Sequence, residues 1–340
     1  MTSVRVSVVV VTWNGLALTV RCLDALRAQE VDGIELELVV VDNGSQDGTV
    51  GTIADQADVH LVALQDNLGF AGGVNAGVLA STGDIVVLIN NDAVAEPTFV
   101  SRLVAPFAQA SAARLGATTG RVVLSGSFAP ADPHDDALVA HDGARWMRVE
   151  DGIRLLNSTG NELTTSGNGR DRDWLAPADG DVTASAEVFG FNGGCAALRR
   201  TALDDVGPFE ESFFMYYEDT DLSWRLRRRG WDVRHVADAG TVHDHAASSG
   251  TSSAFFLDHN ERNRVLVALV HAPWPVVARA SGRTLARTVL GPDRARRVRV
   301  VRTILARVPW ALRRRRAVDR HARVPRSVPA ALLVADGVAR

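Results

Sequence analysis

Lysine is absent from this 340-residue chain, so all 37 of its strongly basic side chains are arginine. That absence excludes a P-loop, whose phosphates need a lysine, and any enzyme working through a Schiff base. It also argues against a nucleotidyltransferase, where arginine replaces only part of what a phosphate-bound lysine does. Cysteine is scarce: Cys22 and Cys195 stand in apolar surroundings and fit no metal-ligand spacing, as expected of reduced core thiols in a cytoplasmic protein. No apolar run reaches the roughly 18–20 residues of a membrane span, and the chain enters VRVSVVVVT without a basic leader or cleavage site. What is present is a 46% hydrophobic composition, enough to bury a substantial core. The net charge of −3 conceals a lopsided chain, acidic before Asp293 and crowded with arginine after it.

Val4 to Val11 is an almost continuous β-branched run, the mark of a parallel strand covered on both faces. It ends at Thr12-Trp13-Asn14-Gly15. A helical pattern over Leu16–Gln29, a strand over Leu36–Val41, a helix near Thr49–Ala57, a strand over Val59–Leu64, a helix near Gly73–Ala80 and a strand over Ile85–Ile89 follow. This alternation predicts an α/β fold with a doubly wound, mostly parallel sheet, whose ligands belong at the carboxyl ends of the strands. Polar residues recur there: Thr12 and Asn14, then Asp42, then Asn90, Asn91 and Asp92. A single loop aspartate is usually a turn former, but three strands ending alike point to a binding edge. The stretch Asn67-Leu68-Gly69-Phe70-Ala71-Gly72-Gly73-Val74-Asn75 reads as a loop before a helix, its amides free to face an anion. Its spacing is not G-x-G-x-x-G and Asp42 precedes it, which excludes the dinucleotide fingerprint and makes a dehydrogenase a poor reading.

From Ser125 to Ala186 the periodicity loosens into an irregular excursion with short strands. Strand texture returns over Val188–Leu198, and Phe213–Trp231 (FFMYYEDTDLSWRLRRRGW) then carries three closely spaced acids into a helix. Leu222 and Leu226 mark its buried face, and Gly230 its end. Asp219 and Asp221 fall at its N-terminus, where capping is the plain role and the helix dipole favours an ionised proton acceptor. The aromatics Phe213, Phe214, Tyr216 and Tyr217 are expected to wall a pocket. A strand near Asp232–Val236 leads to His243 and His245, which either stay solvated or join Asp92 and Asn90 around a divalent ion, Mg²⁺ or Mn²⁺, beside a pyrophosphate. Ala254–Val270 reads as a helix.

In order, VVVVTWNG, VVVDNGSQDGT, DNLGFAGGVNAG, INNDA, NSTGN, FNGGCAALRR, VGPFEESFFMYYEDTDLSWRLRRRGW and VHDHAASSG resemble the motifs of family 2 glycosyltransferases, and within them the bacterial rhamnosyltransferase-like branch. The resemblance covers about residues 4–270. It implies a GT-A fold over 1–270, with a nucleotide-sugar half (1–95) and an acceptor half (96–270), the excursion at 125–186, and a basic helical extension over 271–340. It also implies inverting transfer from a nucleotide diphosphate sugar, dTDP-rhamnose ahead of UDP sugars, to a glycan or lipid-linked acceptor. Thr12, Asn14, Asn67, Gly69 and Asn91 would line the donor site, Asp42 would hold the base of the nucleotide, and Asn75 would approach the diphosphate or sugar. Asp92 with Asn90 and His243 would hold the metal, Asn90 replacing the first acid of the family's D-x-D. Asp219 is the expected catalytic base and Glu218 the alternative.

The arginine-rich helices past Pro273 suit either a peripheral contact with the anionic inner membrane face or a solvated face packed on the main domain, and truncation after Gly291 is expected to separate the two. Homo-oligomerisation is compatible with the sequence, and nucleic acid is not expected, since aromatic interleaving and RNA-binding motifs are missing. Two other functions compete: a catalytically silent sugar-nucleotide-binding scaffold, and a metal-dependent hydrolase that would need no acceptor.

Overall fold

The structure is a computed structural model and describes residues 3–180, 186–244 and 253–337. Its first half alternates β1 (Val4–Thr12), α1 (Leu16–Arg27), β2 (Ile34–Asp42), α2 (Thr49–Ala54), β3 (Val59–Ala63), α3 (Gly69–Ala80) and β4 (Ile85–Asn90). These strands pair in parallel in the order β3-β2-β1-β4. Strand periodicity decides which layer each valine joins. Val6, Val8 and Val10 pack with Cys22, Leu23 and Leu26 of α1, whereas Val9, Val39 and Val41 pack with Ala71 and Val74 of α3. Glycine permits α3 to lie this close: a Cβ on Gly77 would stand 2.4 Å from Val9 Cγ1. The glycine-rich stretch expected as a loop is helical from Gly69 onward, four residues earlier than the sequence pattern places it.

The second half extends the sheet with mixed polarity through β5 (Ala93–Ala95), α4 (Phe99–Val104) and β6 (Leu115–Leu124). The excursion then forms β7 (Ser127–Pro130), β8 (Leu138–Val139) and β9 (Arg145–Val149) as a separate small sheet. β10 (Leu156–Ser158) pairs with β6, and β11 (Asn161–Leu163) pairs with β12 (Gly169–Asp171). After it come β13 (Cys195–Arg199), α5 (Arg200–Val206), α6 (Glu218–Arg229) and β14 (Asp232–His243), giving the sheet order β3-β2-β1-β4-β13-β6-β14-β5. The strand expected over Val188–Leu198 shrinks to its last residues. The one expected to stop at Val236 passes a register shift between His235 and Gly240 and runs on to His243, opposite Ala93 of β5. That extension matters for the site. Cys22 and Cys195 are free and buried, and burial pushes both thiols up to about 12.

The chain closes with α7 (Ala254–His271), α8 (Trp274–Leu290), α9 (Arg294–His321) and α10 (Ser327–Ala330). Val300, Ile304 and Ala311 of α9 share one hydrophobic cluster with Leu266 of α7, Phe213 and Trp224. The arginine run is divided between layers: Arg315 is buried and donates to the carbonyls of Leu269 and Ala272, and Arg314 pairs with Glu210 and Asp221. Truncation after Gly291 would therefore remove part of the core, so it cannot isolate a surface role. Among the described residues no helix is long and apolar enough to cross a membrane.

Candidate active site

The strand ends are laced together before any ligand is considered. Thr12 is buried, and its Oγ1 accepts from Thr19 Oγ1 at 2.8 Å and from Asn91 Nδ2 at 3.1 Å. Asn14, at φ 50°, donates its amide to Ser45 Oγ and accepts from the Gln46 amide, each at 2.8 Å, tying the loop after β1 to the loop after β2. Asp42 is fully buried; its Oδ1 accepts from the Ser45 amide at 2.9 Å, while Oδ2 has no hydrogen-bond partner among the described residues. A buried acceptor left this way is destabilising until a donor arrives.

Asn43, not among the residues singled out from the sequence, holds the next loop in place. Its Nδ2 donates to Asn67 Oδ1 and the Gly69 carbonyl, both at 3.0 Å, and its Oδ1 accepts from the Leu68 amide at 2.9 Å. Gly69 has φ 73°, and a Cβ there would stand 2.3 Å from the Phe214 carbonyl oxygen, so only glycine lets the two loops meet. Asn75 lies elsewhere than expected. It is inside α3, and both ends of its amide are engaged by the Phe209 backbone, with Glu211 as a further acceptor, so its side chain clasps the protein and is not held toward a diphosphate.

Asp92 follows β4 and is buried; the extension of β14 carries His243 to it, Nε2 standing 3.0 Å from Asp92 Oδ1. That oxygen still lacks a hydrogen bond of acceptable geometry. On the far side of the ring, His243 Nδ1 lies 2.7 Å from Asn157 Oδ1. An amide oxygen only accepts, so Nδ1 donates at this contact and Nε2 is the ring nitrogen turned toward the Asp92 carboxylate. A ring nitrogen and a carboxylate oxygen side by side in a largely buried place are donor types that fit a shared divalent cation. Asn90 is separate from this pair: its amide lies against Gly194, where a Cβ would approach Nδ2 to 2.6 Å. Among the described residues no group of three His, Cys, Asp or Glu side chains is close enough to hold a metal, and His245 lies outside the described residues.

The acids of α6 have three different environments. Asp219 Oδ2 accepts from the Gly193 amide at 3.3 Å and Oδ1 from Thr220. Burial pushes its carboxyl up to about 6, those hydrogen bonds pull it partly back, and the charge of Asp171 adds to the rise. Desolvation thus outweighs the fractional charge at the helix end in setting its value, although a carboxyl at about 6 is still largely ionised at neutral pH. Glu218 is raised well above the ordinary range by burial and then by Asp219 beside it. Asp221 goes the other way: burial would raise it, but Arg225, Arg314 and His271 hold it far below the usual carboxylate range. Its oxygens receive Arg225 at 2.8 Å and His271 Nε2 at 2.7 Å, a structural ion cluster.

The aromatics before α6 do not form the expected pocket wall. Phe213 and Tyr217 are core residues, and Phe214 and Tyr216 pack edge-on against Phe255 and Phe256. Their backbone is the notable feature, since Phe214, Tyr216 and Tyr217 all have φ between 66° and 71°. Asn263, fully buried in α7, restrains this strained turn by donating to the carbonyls of Phe213, Met215 and Tyr216 at 3.1, 3.0 and 2.7 Å. Asp171 was also missed. It ends β12 inside the excursion, accepts from Asn192 Nδ2 at 2.9 Å, and is pushed up by burial, with His243 close enough to lower it in part. No periodic signal marks it, although Asn157 and Asn192 lie in the NSTGN and FNGG stretches.

A parallel sheet that turns mixed, a laced polar edge, a buried Asp92 in contact with His243, and an aspartate at the start of α6 mark a GT-A glycosyltransferase fold. The profile of Glycosyl transferase family 2 matches residues 7–207, more than half of the chain, and the protein belongs to that family. A second profile, Glycosyl transferase family group 2, matches residues 151–305. The N-acetylglucosaminyl-diphospho-decaprenol L-rhamnosyltransferase of Mycobacterium tuberculosis is 27% identical over 246 residues, covering 70% of this chain and 76% of its own. The O-antigen chain rhamnosyltransferase RfbN of Salmonella typhimurium is 24% identical over 246 residues, covering 71% and 67%. These place the chain among rhamnosyltransferase-like members. In fold, it resembles GalNAc-T7, solved with UDP, GalNAc and Mn²⁺, with a TM-score of 0.61 at 15% identity, over 95% of this chain and 59% of that one. It also resembles the first 349 residues of TarS from S. aureus, with a TM-score of 0.53 at 14% identity, over 96% and 90%.

Proposed function

We propose that the protein inverts configuration while moving rhamnose from dTDP-rhamnose to a hydroxyl of a lipid-linked glycan during cell-surface polysaccharide assembly. The rhamnosyltransferase names of the two relatives support the sugar, and the decaprenol in one of them supports the lipid. Thr12, Asn14 and Asn91 shape the edge that takes the nucleotide, with Asn67 and Gly69 in the adjoining loop. The unpartnered Oδ2 of Asp42 is an acceptor suited to an N–H of the base.

Asp92 and His243 would hold Mg²⁺ or Mn²⁺, which supplies positive charge to the diphosphate when bound. Asp219 takes the proton of the acceptor hydroxyl as its oxygen bonds to the anomeric carbon and the bond to the diphosphate oxygen breaks. The observation that carries this reading is the place of Asp219 at the start of α6, its Oδ2 accepting from the Gly193 amide at 3.3 Å where a Cβ on Gly193 would also stand 3.2 Å from Phe70 of α3, with desolvation pushing its carboxyl up to about 6. Glu218, pushed well up by burial and by the charge of Asp219, is better suited to positioning.

Calorimetry of dTDP and UDP with and without Mn²⁺, on the wild type and Asp92→Ala, tests the donor site. Metal-dependent binding that the substitution abolishes is expected. Binding of neither nucleotide under any condition would reject the assignment in favour of a scaffold. Nucleotide-sugar turnover that an acceptor glycan does not stimulate would make the protein a hydrolase.

A further inference from the structure

The outward face of α9 carries a basic stripe in two groups, Arg299 and Arg302 near its start and Arg313, Arg316 and Arg320 near its end. Arg299, Arg302, Arg313, Arg316 and Arg320 are all exposed, and their spacing with Ala306 and Pro309 alternates three and four residues, which keeps them on one side of the helix. From Arg299 to Arg320 the stripe is about 32 Å long at the α-helical rise. Among the described residues no carboxylate pairs with any of the five. The neighbouring acid Asp319 is taken by Arg228 and Arg326, and the inward arginines Arg296 and Arg314 have their own acids. Where the chain turns from α8 into α9, the end of α8 exposes Leu285, Val289 and Leu290, and α9 adds Leu305, each more than half exposed. Leu285 and Val289 share one helical face, and Leu290 tops the turn into α9.

We infer that this face docks on an anionic phospholipid bilayer, with the α8–α9 tip entering the headgroup layer and the arginine stripe lying on the phosphates. Guanidinium groups together with a bare aliphatic tip match the two components of such a surface. Nucleic acid matches only one of them. The aromatic side chain of α9, Trp310, is turned inward onto Phe213, leaving no stacking platform for bases on this face. The opposite side of the same helix braces the approach to Asp219: Arg307 donates to the Ser212 carbonyl at 3.0 Å, and Arg314 pairs with Glu210 at 2.6 Å. A bilayer on one face of α9 thus lies about a helix diameter from the segment that presents the catalytic carboxylate. This purpose rests on the lipid-linked reading of the acceptor, whereas the docking itself does not.

The full chain is sedimented with phosphatidylcholine vesicles with and without phosphatidylglycerol. Binding is expected only with the anionic lipid and should weaken as salt rises. Arg299→Gln/Arg302→Gln should lower partitioning about 30-fold, and Val289→Glu/Leu290→Glu should abolish it, while dTDP binding by calorimetry stays at the wild-type value in both, reporting an intact fold. Wild-type protein left in the supernatant with phosphatidylglycerol vesicles, or variants that sediment like the wild type, would overturn the inference. So would a duplex oligonucleotide bound as tightly as the vesicles and indifferent to Val289→Glu/Leu290→Glu. Vesicle binding without nucleotide binding would uphold the docking face and reject the transferase site.

Discussion

If Asp219 receives the acceptor's proton, its carboxyl sets the acid limb of the transfer reaction. Burial pushes that carboxyl up to about 6, so the ionised fraction is about a tenth near pH 5 and about nine-tenths near pH 7. The kcat/KM for acceptor should then climb about tenfold across that interval. Asp219→Asn should remove the limb and lower turnover by about 10²–10⁴-fold, the usual contribution of a positioned general base. Glu218→Gln should keep the limb, because the proton passes to Asp219, while burial and the charge of Asp219 push the Glu218 carboxyl up.

A second readout has the opposite sign. The Asp219 carboxyl is raised in the folded protein from an ordinary value of 3.8, so the native state binds the proton more tightly and loses stability as pH rises from about 4 to about 6. Asp219→Asn should therefore raise the melting temperature relative to wild type at pH 8, and the difference should vanish below pH 4. Acceptor-dependent transfer by chromatographic assay and thermal unfolding across pH measure both. A wild-type profile that is flat from pH 5 to 7, or an Asp219→Asn enzyme keeping more than about a tenth of its activity, refutes the assignment.

Asp221→Ala leaves Arg225 and Arg314 without their buried counter-charge and should destabilise by about 3–5 kcal/mol, lowering the apparent melting temperature by roughly 5–7 °C for a chain of this size; a loss under about 1 kcal/mol would show that the cluster is not structural. Gly69→Ala drives a Cβ into the Phe214 carbonyl and should weaken dTDP binding by calorimetry. Gly48→Ala, at a similar positive φ with nothing within 4 Å, should lose only about 1 kcal/mol of stability and bind normally. Asn263→Ala removes a donor from three carbonyls, of which Phe213 keeps Arg262, and loosens the turn before α6, so kcat should fall while dTDP affinity stays unchanged. Equal losses in both would place Asn263 in the general fold.

Much of the donor half was readable because its signals are local. The valines of β1 and β2 alternate between two layers that α1 and α3 cover, and the polar ends at Thr12, Asp42 and Asp92 follow from where those strands stop. Leu222, Leu226 and Gly230 gave the face and end of α6 for the same reason. The excursion was opaque, since β10 and β12 are short and find partners far away in sequence, leaving Asn157 and Asp171 without a local pattern. Asn75 and the aromatics before α6 carried true signals of importance whose content was packing.

The sequence by itself determined the elements, the binding edge and the ordered family motifs, because periodicity, strand ends and helix stops depend on neighbours a few residues away. Tertiary structure alone decided that β14 runs on to set His243 against Asp92, that Arg314 and Arg315 turn inward while Arg313 and Arg316 turn out, and which acid of α6 is poised near neutrality. Each of these depends on the exclusion of water and on charges delivered by distant segments. Asp219 and Asp221 are two residues apart on one helix, and only the side chains packed around them drive their carboxyls in opposite directions.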